Sequence, residues 1–313
     1  MNFGPSEDQR AIAAAVRDVV AQDVPPSVDA LRALGLFGVI APVTAGGSGL
    51  GVVELSLCLE VLATRWPSLA RGVQAHALGV LRPLLAVEGV TPRTRALAEG
   101  RALGTLRTGQ LVPFAARAQW LMDLTGAHAT LVAGPLPVEA TPAVLGLREA
   151  EHGVLGPVGG KAMAPPARDA LDVGIAAIAL GIARGALTAA CRYAQERHQF
   201  GGPIARFQAS QWKIADSATE LDAARLVTRA AAAAVDAERP GRARLAAQAA
   251  VLATEAAVRT TDRALQLHGG YGYVTDFIVE RLYRDARALR FADGTPDARR
   301  DTIAAAALGH ARG

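Results

Sequence analysis

Aromatic residues make up only 4% of the chain, so Phe, Tyr and Trp cannot fill its interior. A chain of 313 residues, 51% of them hydrophobic, buries roughly 75% of the surface it exposes when unfolded. That core must be built from Ala, Leu and Val, and Ala costs no side-chain entropy in a helix, which favours closely packed helices. Length alone suggests two or three modules. Uninterrupted apolar runs are also missing. Although the mean hydropathy is +0.22, Arg, Asp or Glu breaks each run well before the ~18 residues of a membrane span. The N-terminus, MNFGPSEDQR, has no basic stretch followed by an apolar core, so no secretory signal is expected. Two cysteines occur, Cys58 and Cys191, both inside apolar helical patterns. They are expected to be buried thiols in a reducing cytoplasm.

The net charge is +4 and nearly all the positive charge is Arg, spread through the predicted helices. Basic tracts with interleaved aromatics are absent, which argues against nucleic acid. Most of these arginines read as solvated helix faces, with some attraction for an anionic ligand. Hydrolase chemistry finds no support, because Gly47-Ser48-Gly49-Leu50 misses the second glycine of G-x-S-x-G. His76, His128, His152, His198, His268 and His310 are too scattered in sequence for a zinc site. Gly47, Gly49 and Gly51 follow a short piece, Leu36–Pro42, expected to be extended. Their spacing is not G-x-G-x-x-G and no further βαβ units follow, so a dinucleotide fingerprint is not supported.

Helical signals dominate what is present. Ser6 to Gln9 forms a capping box ahead of Ile12, Val16, Val19 and Val20. Pro25-Pro26 stops that helix, and Ser27 caps a second that ends at Gly35. Further helices are predicted over 52–65, 68–88 and 91–99, the last framed by Thr91, Pro92 and Gly100. From 101 to about 163 the texture changes to short alternating or apolar runs, 119–125, 129–133 and 143–148, separated by Gly-Pro, Thr-Pro and Gly-Gly. This reads as a small β-module. Long helices then cover 173–198, 207–237, 242–268, 276–289 and 296–308, a bundle joined by short loops. The expected organisation is a mainly α protein with an N-terminal helical domain (1–100), a reduced β-module (101–168) and a C-terminal four-helix-type bundle (169–313).

Two stretches could carry chemistry. The first spans 266–295, where a small-residue helix ends at Gly269-Gly270 and Tyr271-Gly272-Tyr273 makes an aromatic turn. A helix follows with Ile278, Leu282 and Leu289 on one face. Asp293-Gly294 then precede Thr295 as N-cap and Pro296 at the first helical position. A helix N-terminus favours anions, so this is a polar cleft with phosphate-friendly ends. The second stretch is Arg197-His198-Gln199-Phe200-Gly201, then Pro203-Ile204, Phe207-Gln208 and Gln211. An Arg and several Gln at a helix–helix turn offer a phosphate clamp and partners for an adenine edge.

Together these stretches resemble the signatures of the flavin-dependent acyl-CoA dehydrogenases. That family typically reads R-x-Q-F-G-x-P-I-x-x-F-Q-x-x-Q followed by L-A-D, which here is Ile214-Ala215-Asp216. It later reads Q-x-x-G-G-x-G, R-x-x-R-D and Y-E-G-T. The loop Pro42–Gly49 is similar to its P-x-x-x-G-G-x-G, and the resemblance covers residues 1–100 and 165–313. It implies a dimer or dimer of dimers in which Arg197, Gln199, Phe200, Gln208, Gln266, Gly269 and Gly270 face the ADP half of an FAD held mainly by the neighbouring subunit. Thr295 would face the FAD of its own subunit. Asp293 stands where many members carry the catalytic Glu that removes the α-proton of the acyl thioester, and the backbone N–H at 293 would donate to the thioester oxygen.

Three departures qualify these implications. Asp293 is one methylene shorter than Glu. Ala292 replaces the usual Tyr, and Asp172 stands near a usual Arg. The stretch 101–163 is short for the family's middle domain and lacks the T-E-P-x-x-G-S-D and W-I-T/S segments that bed the isoalloxazine ring. The chain therefore resembles the short subunit of heteromeric members, which pairs with a longer flavin-holding subunit and is known for bulky steroid-derived CoA thioesters. The expected substrate is an acyl-CoA, and electron-transfer flavoprotein is the expected acceptor. The competing expectations are a self-sufficient homo-oligomer with Asp293 as base, and a non-redox acyl-CoA-binding or scaffold protein.

Overall fold

The structure is a computed structural model and describes residues 6–22 and 24–309. Residues 1–5, part of the stretch expected to carry no secretory signal, and His310 lie outside the described residues. The chain enters helix α1 (Glu7–Val20) through the capping box: Ser6 Oγ accepts the Gln9 N–H, and Gln9 Oε1 accepts the Ser6 N–H. Ser27 caps α2 (Val28–Ala33) through the Ala30 N–H. The piece at 36–42 is not extended as expected. Gly35, at φ +70°, turns the chain into a 3₁₀ turn over Leu36–Gly38. The carbonyls of Gly38 and Ala41 then accept the N–H groups of Ser48 and Gly49. Those groups close a loop on the glycine cluster instead of pairing with a strand.

The cluster leads into α3 (Val52–Leu62). The N-terminus of α3 already holds a carboxylate, because Asp236 accepts the Val52 N–H at 2.8 Å and the Val53 N–H at 2.9 Å. The dipole that would attract a phosphate is satisfied from within the protein. Next, α4 (Pro67–Gln74) continues through a π-helical segment (Ala75–Leu81) into α5 (Arg82–Glu88), and α6 (Pro92–Ala98) follows.

Seven short strands come next: β1 (Gly104–Arg107), β2 (Leu111–Val112), β3 (Trp120–Asp123), β4 (Ala129–Ala133), β5 (Val138–Ala140), β6 (Gly153–Leu155) and β7 (Lys161–Met163). One sheet has the order β1-β3-β4-β7, with β1 and β3 parallel and the other pairs antiparallel; the second has the order β2-β6-β5. The run at 143–148 is no strand. There the Leu147 N–H is donated to the Asp285 carboxylate at 2.6 Å, and Leu147 sits at φ +55°, outside the extended region.

The C-terminal bundle begins with α7 (Arg168–Glu196) and a small hairpin, β8 (His198–Gln199) with β9 (Gly202–Pro203). It continues with α8 (Gln208–Asp236), α9 (Arg242–His268), a 3₁₀ turn (Gly269–Tyr273), α10 (Ile278–Leu289) and α11 (Pro296–Ala307). Helix α7 is the axis of the molecule, and every residue from Asp169 to Ala183 is buried. By length and composition α7 is apolar enough to cross a membrane. However, 72% of its most apolar stretch is buried inside the protein, packed among α3, α8, α9 and α10. Its small residues let backbones meet. A Cβ at Gly181 would lie 2.3 Å from the Glu60 carbonyl oxygen, so α3 crosses α7 in direct backbone contact. One apolar cluster runs from Val16 through α7 to Leu289, and a smaller one, Val112, Ala115, Leu121, Val132 and Leu155, sits within the β-module.

Candidate functional site

Two clefts hold most of the residues singled out by sequence. The first lies where α7 and α9 end. Leaving α7, Arg197 sets its guanidinium 5.8 Å from the centre of the Tyr271 ring. At the end of α9, His268 stacks on Tyr193 with ring centres 4.3 Å apart, and Phe277 meets both edge-on. Burial lowers the His268 pKa, and its Nδ1 donates to the Ala264 carbonyl at 2.8 Å. Beside this aromatic stack a cleft of about 480 Å³ is lined by Arg197, Gln199, Gln266, Gly269 and Gly270. All five are exposed. A Cβ added at Gly269 or Gly270 would meet nothing within 4 Å, so the backbone there is open to a ligand. A cation, two amides and a flat aromatic wall suit a pyrophosphate and a purine edge. Phe200 and Gln208 do not line this cleft. Phe200 is 87% exposed on the β8–β9 turn with its ring edge-on to Phe207, and Gln208 opens α8 on the surface.

The second cleft, about 500 Å³, includes Arg71, Thr108, Gln110, His152, Asp293 and Thr295 in its walls. The sequence shapes it locally. Helix α10 ends, Asp293 takes a left-handed φ of +54°, and Gly294 at φ +133° turns the chain into α11. Thr295 Oγ1 accepts the Ala298 N–H at 3.1 Å as N-cap. From α11, the buried Arg299 reaches back to clamp this turn, donating to the carbonyls of Ala292 at 3.0 Å and Gly294 at 3.3 Å. The same guanidinium donates to Asp172 at 2.8 Å. Asp172, which stands near a usual family Arg, is therefore held by Arg299 from α11, and Arg168 at the start of α7 lies 3.5 Å from it.

Asp293 is 1% exposed and its oxygens are taken. Oδ1 accepts from Arg71 Nη2 at 2.5 Å and Oδ2 accepts from Gln74 Nε2 at 3.1 Å. Thr108 Oγ1 lies 3.5 Å from Oδ1, and Arg71 Nη1 also donates to Gln74 Oε1. Arg71 and Gln74 escaped the sequence reading. Their signal was a polar pair three apart in an otherwise apolar helix, where each must find a buried partner. His152, also in the wall, has its pKa pushed down to about 4, first by burial and then by the nearby Arg71. Among the described residues no cluster of His, Cys, Asp or Glu could hold a metal ion. Cys58 is buried, with its thiol pushed up to about 12 by burial and by Glu54, and Cys191 is half-buried.

The family profile of the acyl-CoA dehydrogenase C-terminal domain matches residues 172–308, and that of the N-terminal domain matches residues 6–89. Acryloyl-CoA reductase (NADH) of Anaerotignum propionicum is 32% identical, over 87% of this chain and 83% of that enzyme. The chain belongs to the acyl-CoA dehydrogenase family. Among other relatives, 3-(aryl)acrylate reductase of Clostridium sporogenes is 44% identical over 132 residues. The chain spans only 35% of that enzyme's length. Butyryl-CoA dehydrogenase of Megasphaera elsdenii has the same fold, with a TM-score of 0.87 over 98% of this chain and all of that one at 23% identity. Residues 90–171, which hold all seven strands of the two main sheets, fall between the two family matches.

Proposed function

We propose that this chain is one subunit of a flavin-dependent acyl-CoA dehydrogenase and completes the FAD site of a longer partner subunit. Arg197, Gln199, Gln266, Gly269 and Gly270 would hold the ADP half of the cofactor. They fit it: the cleft is open, it carries a guanidinium and amides, and a Cβ at Gly269 or Gly270 would project into open space. Bound FAD supplies the two-electron acceptor for α,β-desaturation of an acyl-CoA, with electron-transfer flavoprotein as the onward acceptor.

The observation that carries this reading is the state of Asp293. A general base must stand within reach of the proton it takes. Asp293 is instead 1% exposed, with its oxygens bonded to Arg71 and Gln74, and Arg71 is itself buried in the cleft that an acyl chain would enter. The cofactor-edge residues are thus exposed for a partner, while the base position is closed from within.

Purification of the chain alone, then with a longer acyl-CoA dehydrogenase subunit, tests the reading by flavin absorbance. The expected result is a colourless chain alone and a flavin-loaded complex with the partner. A homo-oligomer carrying stoichiometric flavin, whose turnover is lost in Asp293→Asn, would overturn it and make Asp293 the base.

A further inference from the structure

We infer that the cleft between α1, α3, α7 and α8 is a second ligand site, for a small soluble polyanion bearing at least two phosphate groups. This cleft has a volume of about 800 Å³ and shares no residue with the two clefts described above. Five arginines from three helices line it: Arg10 and Arg17 from α1, Arg184 from α7, and Arg225 and Arg229 from α8. The lining carboxylates are Glu60 and Asp222. Five guanidiniums thus face one cleft with two carboxylates, and guanidiniums are the donors that a phosphate-rich anion needs.

The arrangement is built, not a scatter of surface charge. Glu60 is 6% exposed at the base of the cleft and holds two guanidiniums in place, Arg225 at 3.2 Å and Arg184 at 3.4 Å. Arg184 also reaches the Glu60 carbonyl at 3.5 Å, and Arg225 is braced by Asp222 at 2.6 Å. Glu60 fixes the direction of both guanidiniums, and Asp222 pairs with that of Arg225. Burial lowers the Arg184 pKa; Glu60 opposes that shift, and the neighbouring Arg225 and Arg17 add to it. That crowding of like charge is what an incoming anion relieves. Leu57 and Val61 form an apolar part of the wall, which weakens screening by water. Guanidinium forks match phosphate oxygens two at a time, which an ammonium does not. Every cation here is Arg.

The test is calorimetric titration of inorganic pyrophosphate at low salt into Arg197→Ala protein, a background in which the flavin-side cleft has lost its cation. Saturable one-to-one binding is expected, weakened at least ~10-fold by adding Arg17→Ala with Arg229→Ala, since guanidinium–phosphate contacts are charge-assisted. Arg17 lies exposed on α1, so Arg17→Ala alone, with an unchanged unliganded melting temperature, guards against misfolding and should weaken binding several-fold. Absence of saturable binding in the Arg197→Ala background would overturn the assignment, as would an affinity unchanged by the added substitutions. Vesicles of phosphatidate that bind this cleft where pyrophosphate does not would overturn the small-molecule assignment.

Discussion

The Arg197 cleft and the Asp293 cleft are built from similar parts, an arginine, a glutamine and glycines at a helix end, yet they are in opposite states. In the first, Arg197 and Gln266 face solvent, with the Tyr271 ring beside the Arg197 guanidinium. In the second, Arg71 and Gln74 are buried and spent on Asp293. The difference teaches where the free energy goes. A charge kept at the surface costs the fold little and remains available for a ligand. A charge taken inside must be matched by the protein itself, and once matched it is lost to chemistry.

The sharpest way to break this comparison is Arg71→Leu, which leaves Asp293 buried without its cation. We expect a loss of about 3–5 kcal/mol in urea denaturation, with most of it recovered in the Arg71→Leu/Asp293→Leu double variant. An intact stability in the single variant would mean that the closed cleft is not held by the pair.

The second test concerns the loop of Val144, Gly146 and Leu147 over the same cleft, held by Asp285. Burial raises the Asp285 carboxyl to about 7, with Glu149 adding to the rise and the Leu147 N–H opposing it. Because the folded pKa lies above the ordinary value of 3.8, the stabilisation from this group is complete below that value. It is lost as pH rises to about 7. Asp285→Asn removes this dependence. The stability difference between wild type and variant should therefore shift by about 1.4 kcal/mol per pH unit across that window. His76 and His152, both lowered to about 4 mainly by burial, titrate in both proteins and cancel in the difference. A pH-independent difference would rule out a buried, proton-holding Asp285.

A smaller effect is expected at the rim. Thr295→Ala removes the cap of α11 and should cost about 1 kcal/mol by thermal denaturation. The smallest effect on the fold sharpens the comparison from its open side. Arg197→Ala should change stability by no more than about 0.5 kcal/mol, yet lower the flavin content of the complex with the longer subunit. Equal flavin content with and without Arg197 would remove this residue from the cofactor site.

Much of this was legible in the chain itself, because it depends on local rules. The Ser6 and Thr295 caps, the break at Gly269 and the long helices follow from capping chemistry and periodicity. Arg197, Gln199, Gln266, Gly269 and Gly270 stood out because their spacing resembles a family signature. The misses came from contacts distant in sequence. The Leu36–Pro42 piece folds into a turn because glycine-cluster N–H groups take its carbonyls. The 143–148 run is held as a loop by Asp285, 138 residues beyond Leu147. Arg71 and Asp293, 222 residues apart, find each other only in the fold. No local pattern reports such a pairing.

The cap of α3 has a consequence for how the chain is made. The N–H groups of Val52 and Val53 are satisfied by Asp236, which follows Val52 by 184 residues. At roughly 5–20 residues per second of synthesis, the start of α3 leaves the ribosome about 10–40 s before its partner does. For most of that interval, until residues 168–196 have emerged, its apolar length also lacks α7 to pack on. The N-terminal helices are thus born unfinished, and the last third of the chain is what closes them.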